Sequence, residues 1–300
     1  MESDEFYKEE FFKRESLAKG DIRQVMQLFN EDCLQRLKQI ETNSIDLVLC
    51  DPPYAISMSS TNHMKNDDWD KMSTKEFHDF NIQWLTECYR ILKDDGNLWM
   101  FCAPSKIPEL FETIKETRFI NHLEDWKSLA RQKGRGSKYQ LKSLREDILH
   151  LTKTENFKFH ENNNLFNYKE NITNALNIYT GVVDRPEFNI HDTVFCFKMP
   201  YYLSTTEKQI HTCQKSILLN YSIIMNYSDD GDIVLDPFMG SGSCGIAAEL
   251  AKRQFIGIER EKDMFDKANE WINKFDFVSY RMAYLKGHSF NLLPFGQKTN

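Results

Sequence analysis

Residues 45–54 read IDLVLCDPPY, and this stretch carries the strongest structural signal in the chain. Its first six residues have the length and aliphatic content of a buried β-strand, which Pro52 and Pro53 bring to an end. In open α/β sheets, ligands bind outside the carboxyl ends of the strands. The stretch therefore predicts that Asp51 and Tyr54 project into a binding crevice, and a strand-ending turn with a surface tyrosine is the alternative.

The tetrapeptide Asp51-Pro52-Pro53-Tyr54 suits a planar base that carries an exocyclic amine. The Asp51 carboxylate and the Pro52 carbonyl can each accept one N–H of the amine, while the Tyr54 ring covers the face of the base. These two acceptors would favour a pyramidal nitrogen whose lone pair is free to attack.

A second signal lies near the other end of the chain. Residues 232–235 predict a buried strand, and the sequence DPFMGSGS follows at residues 236–243. A helix-forming run comes next, and residues 254–258 predict another strand that ends at Glu259. This succession is typical of a nucleotide-binding βαβ unit, in which glycines admit a ligand and the acid holds a ribose diol.

Gly240, Gly242 and Gly245 also match the dinucleotide pattern G-x-G-x-x-G. Only residues 246–300 follow, which is too few for the rest of a dinucleotide domain and a substrate domain. The sheet must therefore be completed by upstream residues, and the ligand is predicted to be mononucleoside-sized, with its reactive end directed at Asp51.

The two signals, in this order, resemble the amino-directed DNA methyltransferases of the permuted beta group, which use S-adenosylmethionine. Weaker similarity extends over residues 28–270, including HTCQKS at 211–216, where the family usually has HPTQKP. Thr212 and Ser216 thus replace both prolines. The resemblance implies an α/β fold: a Rossmann-like methyltransferase sheet in a three-layer α/β/α arrangement, circularly permuted, with a DNA-recognition insertion.

The resemblance also implies which residues form the site. The catalytic residues would be Asp51, Pro52, Pro53 and Tyr54, and the cofactor-binding residues Asp32, Cys50, Asp51, Lys215, Asp236, Phe238, Gly240, Ser241, Gly242 and Glu259. Asp32 would approach the adenine, Glu259 the ribose hydroxyls and Lys215 the methionine carboxylate. A helix cap for Asp32 and a solvated lysine for Lys215 are the structural alternatives.

The implied reaction is direct in-line methyl transfer to adenine N6 of a flipped DNA base. In the family an initial Asp in the tetrapeptide goes mostly with adenine, and cytosine N4 is the alternative target; an RNA base also stays open. Cys50 lies inside an apolar strand and no Pro-Cys pair occurs, which disfavours attack on cytosine carbon 5. A nicotinamide-dependent oxidoreductase and a non-catalytic DNA-binding partner are the alternatives from other classes.

Composition bounds this interpretation. With 41% hydrophobic residues in 300, the chain can bury one core, so residues 1–300 are predicted to form a single methyltransferase domain. Within it we expect a catalytic half at 18–125, a target-recognition insertion at 126–205 and a cofactor half at 206–278. Seven scattered cysteines without a C-x-x-C pair indicate a reducing compartment and no metal site. The absence of a signal peptide or a long apolar run predicts the bacterial cytoplasm or nucleoid and no membrane association.

The net charge of −7 is unusual for a DNA-binding protein, but the charge is unevenly distributed. Residues 127–145 contain seven Lys or Arg and no acid, and phosphate attraction depends on the local patch. DNA contacts are therefore predicted for Arg131, Lys133, Arg135 and Lys138, with a solvated basic face as the alternative. Double-stranded DNA is the expected partner, and a homodimer and a cognate restriction endonuclease are further expectations.

Periodicity predicts an amphipathic helix at residues 74–93 that is capped by Gly96 and followed by a strand at 97–102. Residues 55–72 are polar and irregular, and we expect them to form a mobile loop that closes over the flipped base.

Overall fold

The computed structural model describes residues 26–55, 71–122, 127–130, 145–160, 194–196, 210 and 214–277. Within these ranges, nine strands form one sheet. The strands are β1 Met26–Phe29, β2 Ile45–Cys50, β3 Leu92–Cys102, β4 Ile120–Asn121, β5 Lys127–Ala130, β6 Arg145–Thr152, β7 Val194–Cys196, β8 Ile233–Asp236 and β9 Gln254–Ile258. The α-helices are α1 Cys33–Leu37, α2 Thr74–Ile91, α3 Ile107–Lys115, α4 Ile217–Tyr227, α5 Ser243–Leu250 and α6 Lys262–Lys274.

The strand order places β8 and β2 side by side in the middle of the sheet. The order is β1-β9-β8-β2-β3-β6-β5-β7, with β4 paired to β6. The first five strands are mutually parallel, and β6 runs antiparallel to β3. From β8 the chain proceeds to β9 on one side, whereas from β2 it proceeds to β3 on the other. The two central strands therefore form the switch point at which open α/β sheets bind ligands.

The helices pack in two layers, which confirms the predicted α/β/α arrangement. Helices α1, α2 and α3 contribute to one hydrophobic core, and α4, α5 and α6 contribute to the other. Strand β2 is buried along its whole length and supplies both cores, because alternate side chains of a strand point to opposite faces. Val48 and Cys50 belong to the first core, and Leu47 and Leu49 to the second.

The predicted cap at Gly96 was wrong. Helix α2 begins with a capping box at Ser73 and ends at Ile91, and the chain enters β3 directly at the buried Leu92. Gly96 lies inside β3, where a Cβ atom would come within 2.8 Å of the Asp46 carbonyl oxygen. Its role is close approach between two strands, not helix termination.

The range 126–205, predicted to be a recognition insertion, contains part of the central sheet. Strand β6 pairs with β3 over six residues, and residues 147–152 are buried. This strand is therefore part of the buried sheet, and the recognition insertion at 126–205 stays a prediction. The predicted loop over the target base at 55–72 and the basic stretch from residue 131 to residue 144 lie almost entirely outside the described residues.

A buried ion cluster joins the amino-terminal ends of the central strands. Asp46, in β2, accepts hydrogen bonds at Oδ1 from Lys93 Nζ at 2.7 Å and Lys158 Nζ at 3.0 Å. Its Oδ2 accepts a hydrogen bond from Ile233 N, at the start of β8, at 3.0 Å. Lys158 also donates to Asp232 at 2.7 Å. The cluster therefore connects β2, β3, β8 and the segment after β6.

No helix in the described ranges is both long and apolar enough to cross a lipid bilayer.

Candidate active site

The two motif-bearing segments meet at one edge of the sheet. Leu47 pairs with Val234 and Val48 with Leu235, so the parallel strands β2 and β8 end at neighbouring positions. The tetrapeptide at 51–54 follows β2, and the glycine turn, defined as residues 236–242, begins at the end of β8. The predicted juxtaposition of the two segments is thus confirmed.

Asp51 has a protein donor on each of its carboxylate oxygens. The Tyr54 hydroxyl donates to Asp51 Oδ1, and Lys215 Nζ donates to Asp51 Oδ2 at 2.6 Å. Lys215, two residues before the first residue of helix α4, is buried, and its side chain is only 7% exposed. Its ammonium also lies 5.0 Å from the centre of the Phe101 ring, within cation–π range. A solvated lysine is therefore excluded, and Lys215 joins the early and late halves of the site.

The glycines of the turn have different structural roles. Gly240 adopts φ +50° and Gly242 φ +82°, the left-handed region that favours glycine. A Cβ on Gly242 would collide with Ile272 of α6 at 2.7 Å, whereas one on Gly240 would have only the Phe238 carbonyl oxygen nearby, at 3.8 Å. Gly242 therefore serves packing, and Gly240 leaves open space at the carboxyl end of β8.

Glu259, immediately after β9, faces the glycine turn. Its Oε2 accepts a hydrogen bond from Gly240 N at 2.9 Å, and its Oε1 accepts one from Glu261 N at 2.8 Å. Burial raises the pKa of the Glu259 carboxyl, and these two backbone hydrogen bonds partly oppose the shift. The carboxylate is thus fixed beside the turn, where its remaining lone pairs can accept ligand hydroxyls.

Asn30 is a site residue that the sequence reasoning missed. Its side-chain amide, just after β1, donates to the carbonyl oxygens of Glu259 at 2.9 Å and Arg260 at 3.0 Å. It therefore fixes the backbone that carries the Glu259 carboxylate. An Asn directly after a predicted strand was the only available signal, because its partners lie more than 200 residues away in sequence.

Asp236, at the end of β8, is a buried acid at the same edge of the sheet. Burial raises its pKa to about 8, the nearby acids Asp51 and Glu259 add to the shift, and a hydrogen bond from Phe238 N opposes it. The Phe238 ring packs edge-on against Trp84 of α2, with ring centroids 5.3 Å apart. Asp236 and Phe238 therefore shape the turn and connect it to the opposite helical layer.

The other predicted cofactor residues take up less direct positions. Asp32 caps α1, because its Oδ1 accepts hydrogen bonds from Leu34 N at 2.9 Å and Gln35 N at 3.3 Å. Cys50 is buried within β2, and burial raises the pKa of its thiol well above the ordinary value of 9.0. A neutral thiol is a poor nucleophile, which fits a structural role. Ser241 is buried in the glycine turn. A contact of these residues with a cofactor stays a prediction.

The predicted DNA-binding residues Arg131, Lys133, Arg135 and Lys138 lie outside the described residues. Among the residues that are described, no group of three or more His, Cys, Asp or Glu could hold a metal ion.

Comparison with known proteins places these features in a family. A family model described as DNA methylase matches residues 45–270. The chain is 27% identical over 259 residues to the type II methyltransferase M.HpaI of Haemophilus parainfluenzae, covering 85% of this chain and 78% of that protein. It is 30% identical over 250 residues to the type II methyltransferase M.HinfI of Haemophilus influenzae, covering 80% of this chain and 66% of that protein.

A solved structure has the same fold. The crystal structure of the M1.HpyAVI–SAM complex superimposes with a TM-score of 0.55 at 24% identity, over 83% of this chain and 99% of that chain. The overall fold of the chain thus has a counterpart among solved structures.

Proposed function

The chain belongs to the DNA methylase family, and we propose that within this family it methylates adenine N6 of a specific DNA site. The observation that carries the proposal is the junction of its two halves. Parallel pairing of β2 with β8 brings Asp51 beside the glycine turn, and Lys215 donates to Asp51 from the segment that precedes α4.

S-adenosylmethionine is the cofactor of this family and supplies a methyl group bonded to a positively charged sulfur. The described residues fit it. The open space at Gly240 admits a ligand close to the backbone, and Glu259 presents a fixed carboxylate for ribose hydroxyls. We assign binding of the nucleoside part to these two residues, with Asp32 and Phe238 completing its surroundings.

The tetrapeptide would prepare the amine for methylation. The nitrogen lone pair of adenine N6 is delocalised into the ring, so the free amine is a poor nucleophile. Hydrogen bonds to Asp51 and to the Pro52 carbonyl favour a pyramidal nitrogen, while the Tyr54 ring holds the extruded base. The residues act by positioning and electrostatics, and no covalent bond to the protein is required.

Cytosine N4 is the second candidate target, because the family includes both N6 and N4 methylases. An Asp at the first position of the tetrapeptide favours adenine. The family match gives no support to an oxidoreductase. We further propose that double-stranded DNA is bound through Arg131, Lys133, Arg135 and Lys138, that the enzyme acts in the bacterial cytoplasm or nucleoid, and that it works with a second copy and a cognate restriction endonuclease.

Methyl transfer with product identification tests the proposal. The protein is incubated with tritiated S-adenosylmethionine and unmethylated double-stranded DNA of mixed sequence, and the DNA is digested to nucleosides and separated by chromatography. We expect the label in N6-methyl-2′-deoxyadenosine. Label in N4-methyl-2′-deoxycytidine would favour the second target, and DNA binding without any label would favour a non-catalytic DNA-binding partner. A parallel titration with NAD is expected to show no binding.

Asn30→Ala is expected to weaken S-adenosylmethionine binding by about tenfold with little change in the saturated rate. The variant loses two hydrogen bonds that fix the backbone of Glu259 and Arg260, and each is worth roughly 1 kcal/mol, part of which is regained from water. Steady-state kinetics separates KM from kcat, and Asn273→Ala, at an exposed position of α6, is the control. A lowered kcat with an unchanged KM would contradict this role.

A further inference from the structure

Both oxygens of the Asp51 carboxylate already have protein donors. Tyr54 donates to Oδ1 and Lys215 to Oδ2. The proposed function, however, needs one of these oxygens for the target amine and needs the Tyr54 ring against the base. Each oxygen keeps a second lone pair, so the entering amine can either add beside one of these donors or displace it.

The surroundings of the two donors differ. The Lys215 ammonium is buried, and its neighbour Gln214 is anchored by accepting a hydrogen bond from Ile210 N at 3.0 Å. Separating a buried ammonium from its carboxylate costs free energy, because water cannot reach the separated charges to solvate them. Tyr54 is only partly buried, so its hydroxyl can exchange Asp51 for water at small cost.

We propose that Lys215 keeps Asp51 Oδ2 throughout the reaction and that the Tyr54 hydroxyl is a placeholder, which the target amine displaces from Oδ1. This inference rests on the proposed function and assigns separate tasks to the two oxygens. Lys215 is then a positioning residue that acts through Asp51, in addition to any contact with the cofactor. The displaced Tyr54 becomes free to stack on the base whose amine replaced it.

The charges around Asp51 make the role of Lys215 measurable. Asp236, at the end of β8, and Glu259, after β9, are the other acids at this edge, and both interact electrostatically within the cluster. The thiol of Cys50 is buried and neutral. Among the described residues, Lys215 is the cation that contacts the negative charge of Asp51. Without it, Asp51 should take up a proton at higher pH.

Substitution of Lys215 tests the first half of the inference. The saturated methyl-transfer rate is measured against pH for the wild type, Lys215→Met and Lys215→Arg, with the exposed Lys115→Met as a control. We expect the acid limb of Lys215→Met to move up by about one pH unit or more, because an opposite charge at this distance typically has an effect of that size. Lys215→Arg should restore most of the shift.

A cofactor-only role for Lys215 gives a different result. Lys215→Met would then weaken binding of S-adenosylhomocysteine, which carries the amino-acid carboxylate, but not of methylthioadenosine, which lacks it. If the acid limb also stayed in place, the positioning role would be overturned. A wild type that transfers no methyl group would instead remove the proposed function itself, so the two failures can be told apart.

Substitution of Tyr54 tests the second half and does not depend on the Lys215 variants. Affinity is measured for DNA that contains the target base and for the same DNA with an abasic site in its place. Because Tyr54→Phe keeps the ring and removes the competing hydroxyl, we expect its preference for target over abasic DNA to exceed that of the wild type by about threefold to tenfold. An equal or smaller preference would refute the placeholder role.

Discussion

Asp51→Asn is expected to lower the rate of methyl transfer by about 1,000-fold while S-adenosylmethionine still binds. Removing one preorganised electrostatic contact to a reacting group typically costs a factor of about 100 to 1,000. At this position the loss falls at the upper end, because an amide has one oxygen where the carboxylate has two. In the proposed arrangement Lys215 and the target amine face different oxygens of Asp51, so the amide nitrogen would meet one of them as a second donor.

Single-turnover transfer of tritium to DNA measures this effect, and equilibrium binding of the cofactor is measured on the same preparation. Asp79→Asn, at an exposed carboxylate of α2, changes the charge by the same amount away from the site and should keep the wild-type rate. Wild-type activity in Asp51→Asn would show that the tetrapeptide carboxylate does not participate.

Asp46→Asn is expected to reduce the free energy of unfolding by about 3 kcal/mol at pH 7. Asp46 is almost completely buried and compensates Lys93 and Lys158, which also lies within reach of Asp232. Breaking a buried ion pair by removing one partner leaves the other charge uncompensated, which typically costs about 3 to 5 kcal/mol. The lower limit applies because Lys93 is partly exposed to solvent.

The loss of unfolding free energy in Asp46→Asn should depend on pH in a defined direction. Burial alone would raise the pKa of Asp46, but the hydrogen bond from Ile233 N and the ammonium groups of Lys93 and Lys158 outweigh it and hold the pKa below the ordinary value of 3.8. The folded protein therefore binds fewer protons at this group than the unfolded chain. The stabilisation is complete above the unfolded pKa and is lost as the pH falls through the lower folded pKa.

Urea unfolding at a series of pH values tests both statements. The difference between the wild type and Asp46→Asn should be constant above about pH 5 and shrink below about pH 4. Asp94→Asn, at an exposed carboxylate near the same end of the sheet, should change stability by less than about 0.5 kcal/mol. A difference of the same size at pH 3 and pH 7 would disprove the charge-based explanation.

The central part of the fold was predictable because its signals are local. A continuous apolar run followed by Pro52 and Pro53 defines β2, and the glycine turn between a strand and a helix defines the βαβ unit. Each signal lies within about ten residues. Their adjacency followed from the carboxyl-end rule for parallel sheets and is confirmed by the pairing of β2 with β8.

Features that depend on distant partners could not be predicted in this way. In the sequence Gly96 resembled a helix cap. In the structure a side chain at this position would collide with the carbonyl oxygen of Asp46, about fifty residues earlier. Strand β6 was not recognisable in the sequence, because its buried stretch includes the polar residues Asp147, His150 and Thr152, which interrupt the apolar pattern. Asn30 supports Glu259 across 229 residues of sequence.

The seam between β2 and β8 has a consequence for how the protein is made. Ile233 donates to Asp46 across 187 residues of sequence, so this pairing closes a very long stretch of chain and is expected to form late in folding. During translation the tetrapeptide leaves the ribosome long before β8 has been synthesised. A growing polypeptide therefore carries its reactive carboxylate without the neighbouring strand that completes the pocket, and enzymatic competence should arise only when that last stretch docks.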